Sequence, residues 1–130
     1  KVPDLASPVA GTRYEAVDAL GRSADPAVVP HLVPLLKDVD TFVRMATARV
    51  LGTLGASEGV EPLFEALEDD EAAVREAAWV SLLALTGRDF RYDPLGVEVE
   101  RQKRRKAWVE WWRKEGARAG SGAEVAGSAG

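Results

Sequence analysis

The segments "VRMATARVLGTLGA" (residues 43–56) and "VREAAWVSLLALTG" (74–87) are two versions of one pattern. A shift of 31 residues superposes Val43 on Val74, Arg44 on Arg75, Ala46 on Ala77, Leu51 on Leu82 and Leu54 on Leu85. A third copy lies upstream, where "RYEAVDALG" (13–21) places Arg13, Leu20 and Gly21 one period before Arg44, Leu51 and Gly52. Self-similarity at this period marks a stack of supersecondary units, none of which buries its apolar face alone.

Within each unit the apolar residues recur at helical spacing, as Val43, Ala46, Val50, Leu51 and Leu54 do. A second helix follows: "AVVPHLVPLLKD" (27–38) aligns with "EGVEPLFEALED" (58–69), matching Leu32 with Leu63, Leu36 with Leu67 and Asp38 with Asp69. Asp25 before Pro26 is a start signal, since a carboxylate cap and a first-turn proline suit the same helix end. Thr12 and Glu15 offer a capping box for the first helix. Pro30 and Pro62 fall near first turns, whereas Pro34 lies deeper and predicts a bend there. The expected helices span 12–21, 26–37, 41–54, 59–68, 71–86 and 97–115, with a loop over 86–96.

These helices make three antiparallel pairs in an all-α solenoid. The domain plan is an N-terminal extension over 1–11, a repeat domain over 12–115 closed by a helix over 97–115, and a Gly/Ala/Ser-rich tail over 116–130 with linker composition.

"LLKDVDTFVRMATARVLGTLG" (35–55) and "ALEDDEAAVREAAWVSLLALTG" (66–87) resemble the HEAT-repeat proteins, in particular the short bacterial repeats first grouped with phycobilisome lyases. The resemblance covers 12–87. It implies an α-solenoid in which Asp38 and Asp69 stand at turns with Arg44 and Arg75 one turn into the next helix, forming an Asp–Arg ladder. "TGRDFRYDP" (86–94) with "WVEWW" (108–112) is similar to the ending of many bacterial proteins of this type. A final repeat exposes an apolar face, and Phe90, Tyr92, Trp108 and Trp112 supply the rings to cap it. Trp108 and Trp112 share a helix face, with Trp111 aside.

Composition narrows the chemistry. The 130 residues are 46% hydrophobic and 29% charged, with apolar stretches too short for a membrane-spanning helix. Having no cysteine removes disulfides, thiolate metal sites and thiol nucleophiles. One histidine, His31, excludes a multi-histidine zinc site, and it lies amid core-type residues in "VVPHLVPLL" (28–36) without a partner at helical spacing. The acidic "EDDE" (68–71) lacks the ligand spacing of a calcium loop and reads as a turn before a helix start. No phosphate loop or dinucleotide fingerprint is present, so no cofactor, metal or catalytic residue is expected.

Residues 1–96 carry 9 basic and 16 acidic groups, while 97–130 carry 8 basic and 5 acidic, including "RQKRRK" (101–106). A basic helix with inward tryptophans needs no polyanion, and the acidic body repels one.

The expectation from sequence is a non-catalytic protein–protein interaction or scaffold module, a small accessory subunit of a larger assembly. It docks a protein partner through Arg49, Glu61, Glu65, Arg101 and Arg105. Two alternatives are a chromophore lyase-like helper and a nucleic-acid binder using Arg101, Lys103, Arg104, Arg105 and Lys106. Beginning at Lys1 suits a processed mature form or a piece of a longer chain, and the compartment, cytoplasmic by default, stays open to export. Nothing in the chain sets an oligomeric state.

Overall fold

A computed structural model describes residues 4–116. Its helices are α1 (Ala10–Ser23), α2 (Val29–Leu32), α3 (Thr41–Leu54), α4 (Val60–Ala66), α5 (Ala72–Thr86) and α6 (Glu98–Trp111). Short 3₁₀ segments, Pro26–Val28 and Val33–Lys37, flank α2; another, Ser57–Gly59, leads into α4; and a π-helical turn, Trp112–Gly116, ends α6. Among the described residues there is no strand. The architecture is an α-solenoid: α1, α3 and α5 stack in one layer, and the α2 segment, α4 and α6 line the other.

Local chemistry explains the helix ends. Asp25 caps the first 3₁₀ turn by accepting from Ala27 N at 3.0 Å, and Asp40 caps α3 by accepting from Val43 N at 3.0 Å. The capping box expected of Thr12 and Glu15 does not form. Helix α1 starts at Ala10, inside the expected N-terminal extension, behind an extended Val9 with no side-chain cap. From Val33, around Pro34, the helix tightens into 3₁₀ geometry, because proline has no N–H to continue the α-helical ladder. Gly55 and Gly87 end α3 and α5 at φ 71° and 70°. Ala24 ends α1 at φ 59°, where an L-residue costs roughly 1–2 kcal/mol.

The core runs unbroken through the stack, with Val17, Val43, Leu51, Leu63, Val74 and Leu82 wholly buried. Between α3 and α5 the helices approach very closely: a Cβ on Gly52 would lie 2.6 Å from Ser81 Cβ and 2.8 Å from Ser81 Cα. The Ser81 hydroxyl uses that proximity to donate to the Ala48 carbonyl at 2.6 Å.

The loop after α5 carries the chain back along that helix. Arg75, near the start of α5, donates to the Pro94 carbonyl at 2.9 Å, while Trp108 Nε1 donates to Thr86 Oγ1, at the end of α5, at 3.2 Å. Helix α6 therefore runs in the direction of α5 and against α4. Trp108 is fully buried and meets Phe64 and Phe90 at centroid distances of 6.3 and 5.8 Å. Trp111 does not stand aside: it packs on Phe90 and Trp112, with the Arg88 guanidinium 5.0 Å from its ring centroid. Beyond Gly116 the expected tail lies outside the described residues.

Candidate functional site

Two features bring charged side chains together: a ladder of arginines along one edge of the stack, and a groove along the second layer.

In the ladder each arginine bridges two turns. Arg13 grips the Asp38 carboxylate with Nε and Nη2 at 2.8 and 2.9 Å, and donates from Nη1 to the Ser7 carbonyl at 2.8 Å. Arg44 repeats this one layer on, with Nε on Asp69 at 2.9 Å and Nη1 on the Asp38 carbonyl at 2.8 Å. The carboxylates therefore pair with the arginine of their own helix pair, 25 residues before them, not with the one that follows them in sequence. Arg75 reaches the Asp69 carbonyl in the same way, but its Nε meets the Pro94 carbonyl where a third carboxylate would stand. Both side chains of the Arg13–Asp38 rung are close to nine-tenths buried or more. The hydrogen bonds from Arg13, aided by the Asp40 backbone N–H, hold the Asp38 carboxyl below its ordinary range despite burial. The same bond pushes Arg13 upward.

The groove is about 1090 Å³ in volume and lies between Val33–Lys37, α4 and the end of α6. Its floor includes Leu36, Phe64, Val109 and Trp112. Glu61 and Glu65 lie four residues apart on α4, with Glu58 in the 3₁₀ turn before it and Glu68 just past its end, and all four line the groove. Glu65 pairs with Lys37 and Glu68 with Arg105, each at 3.1 Å, and among the described residues Glu58 and Glu61 make no ion pair. The lining sets seven carboxylates against Lys37, Arg44, Arg105 and Arg113, so the rim is acidic on balance, beside apolar side chains. A protonated aliphatic amine suits it, with carboxylates for the charge and rings for the alkyl chain.

The five expected partner-binding residues do not gather in one place. Glu61 and Glu65 line the groove. Arg105 also lines it, but it closes α4, donating to the Phe64 carbonyl at 2.7 Å. Arg101 caps its own loop, donating to the Gly96 carbonyl at 2.7 Å, and Arg49 is exposed on α3, away from the groove lining. Among the expected cap residues, Tyr92 is buried, donates to the Leu67 carbonyl, and is pushed up to about 12 chiefly by burial. Sequence reasoning missed the Arg13–Asp38 rung, although Arg13 was already in register with Arg44. It also missed the groove, which depends on where α6 lands. His31 is exposed on α2. Among the described residues no helix is long and apolar enough to cross a membrane.

The repeat pattern is shared with known proteins. The HEAT repeats family matches residues 5–85. Deoxyhypusine hydroxylase of Neurospora crassa is 40% identical over 73 residues, which cover 54% of this chain and 22% of that protein. The enzyme of the same name from Chaetomium globosum is 41% identical over 73 residues, covering 54% and 21%, and that of Aspergillus clavatus is 38% identical over 81 residues, covering 60% and 24%. The chain thus spans about a fifth of the length of these relatives.

These relatives correct the functional expectation. They are named for a catalytic activity and come from fungi, which overturns the reading as a non-enzymatic scaffold or accessory subunit of bacterial type. The chromophore lyase-like helper and the nucleic-acid binder fare no better against them. The reason is physical: a repeat pattern records what each layer buries, and that signal is silent about chemistry carried by a few positions. What the matched pattern and the stacked layers do establish is descent: this chain belongs to the HEAT-repeat family.

Proposed function

We propose that the chain forms the substrate-holding repeats of an enzyme of the deoxyhypusine hydroxylase kind, with the groove beside α4 taking an amine-bearing substrate. The observation that carries this reading is the groove itself: Glu58 and Glu61, without ion pairs among the described residues, stand over an apolar floor of Phe64 and Trp112. The likeness to hydroxylases over 73–81 residues supports the same class.

Hydroxylation needs an oxidant and a redox centre. Among the described residues no group of three or more His, Cys, Asp or Glu is placed to hold a metal ion. The residues do not fit such a centre, so the groove is assigned binding and orientation, and the oxidising step falls to parts of the enzyme outside this stretch. In the groove the carboxylates hold a cationic amine while Trp112 and Val109 keep water from its alkyl chain.

Calorimetric titration of the chain with a peptide carrying deoxyhypusine tests the proposal. Saturable binding is expected, weakened at least about tenfold by Glu58→Gln with Glu61→Gln. Equal binding of a peptide carrying plain lysine, or indifference to both substitutions, sinks it.

A further inference from the structure

Of the large apolar side chains that stand exposed, Val9, Val39, Phe42, Leu95, Val97 and Val99 all lie at or beside the turns joined by the arginine ladder, with Val80 the exception. Single exposed apolar residues are ordinary. Gathering along one edge is not, because the turns there are strung together by a continuous chain of hydrogen bonds. Arg13 links the turn at Ser7 to that at Asp38, Arg44 links Asp38 to Asp69, and Arg75 links Asp69 to Pro94. The residue after each acceptor projects outward: Pro8, Val39, Asp70 and Leu95 are all exposed, Val39 at 92% and Leu95 at 78%. Phe42, four residues past Asp38 and 64% exposed, widens the patch at the second turn, and Val97 does so at the last.

The row therefore reads apolar, apolar, acidic, apolar, and the acidic step is reinforced by Glu71, also exposed. This order selects the occupant. An anionic membrane surface is repelled by Asp70 and Glu71 in the middle of the row. A second copy laid against it in two-fold fashion would set those carboxylates against their own counterparts. With no strand among the described residues, the edge offers no ladder for an added strand. A helix crossing the turns fits: packed helices lie about 8–10 Å apart, close to the rise of two α-helical turns.

We propose that this edge docks an amphipathic helix of a partner protein that carries a basic residue opposite Asp70, with apolar residues about two turns to either side meeting Val39 with Phe42 and Leu95 with Val97. The surface borders the groove, whose lining includes Asp70 and the ladder residues Asp38, Arg44 and Asp69, but its apolar positions Val39, Phe42, Leu95 and Val97 lie outside that lining and the argument for it does not use the groove's reading.

The probe is a labelled, alanine-rich helical peptide of about 20 residues with a central arginine and a leucine roughly seven residues to each side. Its fluorescence anisotropy is followed on titration with the full chain. Saturable binding is expected, weakened at least about tenfold by Val39→Ser or Leu95→Ser, substitutions at positions too exposed to disturb the fold. Asp70→Lys with Glu71→Lys should abolish binding of this peptide and confer binding of its glutamate-centred counterpart. The proposal is overturned if wild-type protein binds neither peptide, or both alike, or if Asp70→Lys with Glu71→Lys fails to exchange the preference. It is equally overturned if Val39→Ser instead removes self-association in sedimentation, or attachment to vesicles containing phosphatidylserine. Loss of the deoxyhypusine-peptide titration with an intact anisotropy response would remove the groove reading and leave this one standing.

Discussion

Between α3 and α5 two helices meet almost backbone to backbone, with Gly52 against Ser81 and the serine hydroxyl on the Ala48 carbonyl. At α6, the last α-helix of the described residues, the chain does the reverse. There α6 is held against α4 and the end of α5 by Trp108, Phe90, Tyr92 and Trp112, and its polar contacts run to a backbone carbonyl, a hydroxyl and the half-exposed Glu68 carboxylate. The first interface turns on a glycine that recurs in register, Gly21 meeting Val50 as Gly52 meets Ser81, whereas the second is made of large residues used once. A repeated interface must be flat enough for the next layer to copy, whereas a terminal one only has to cover what is left.

The contrast can be broken at either side. Trp108→Ala should have the largest effect, roughly 3–5 kcal/mol in urea unfolding, since a fully buried ring is removed from beneath the closing helix. A loss near zero would mean that α6 is not part of the cooperative unit. Asp38→Ala should come next, lowering the urea midpoint, because it leaves the Arg13 guanidinium with its bond to the Ser7 carbonyl and no carboxylate. Gly52→Ala should cost about 1–3 kcal/mol, with partial recovery in Gly52→Ala/Ser81→Gly, because the clash reaches the Ser81 backbone as well as its side chain. Tyr92→Phe removes one hydrogen bond to Leu67 and should cost about 1 kcal/mol.

The two sides also differ with pH. Asp38 has its folded pKa depressed by Arg13, so the stability it contributes is present above the unfolded carboxylate value of about 4 and is lost as pH falls below it. Asp38→Asn should flatten the acid limb of the stability curve. Tyr92 is raised to about 12 by burial, so its contribution is intact below about 10 and disappears as pH rises toward 12. Tyr92→Phe should flatten the alkaline limb and leave the acid one unchanged.

The sequence showed the repeated side of this comparison far better than the terminal side. The register of Val43 with Val74 and Leu51 with Leu82 sufficed for a stack, because burial at a fixed period writes itself into every copy. The HEAT resemblance implied Asp38 and Asp69 at turns, but the partner of each carboxylate is the arginine of its own helix pair and not of the helix after it, and a one-dimensional pattern cannot choose between two arginines in equivalent positions. At the terminal side the direction of α6 depends on how the loop folds back on Arg75, a contact with a backbone carbonyl that leaves no mark on residue choice. The groove inherits that limit, since its far wall is α6. For function, the same periodic signal that revealed the fold pointed to binding alone, and the likeness to hydroxylases was needed to correct it.

The ladder has a further consequence for how such a chain can change length. It begins at Ser7 and ends at Pro94, both neutral acceptors, while every internal rung joins one arginine to one aspartate. Duplicating one 31-residue unit in the middle would add a matched arginine and aspartate and another close helix approach, and would leave both ends as they are. Internal duplication by a whole unit is therefore electrostatically silent. A duplication that is not a whole number of units would add an arginine without its aspartate, or a helix without its pair, so the ladder favours growth in whole steps.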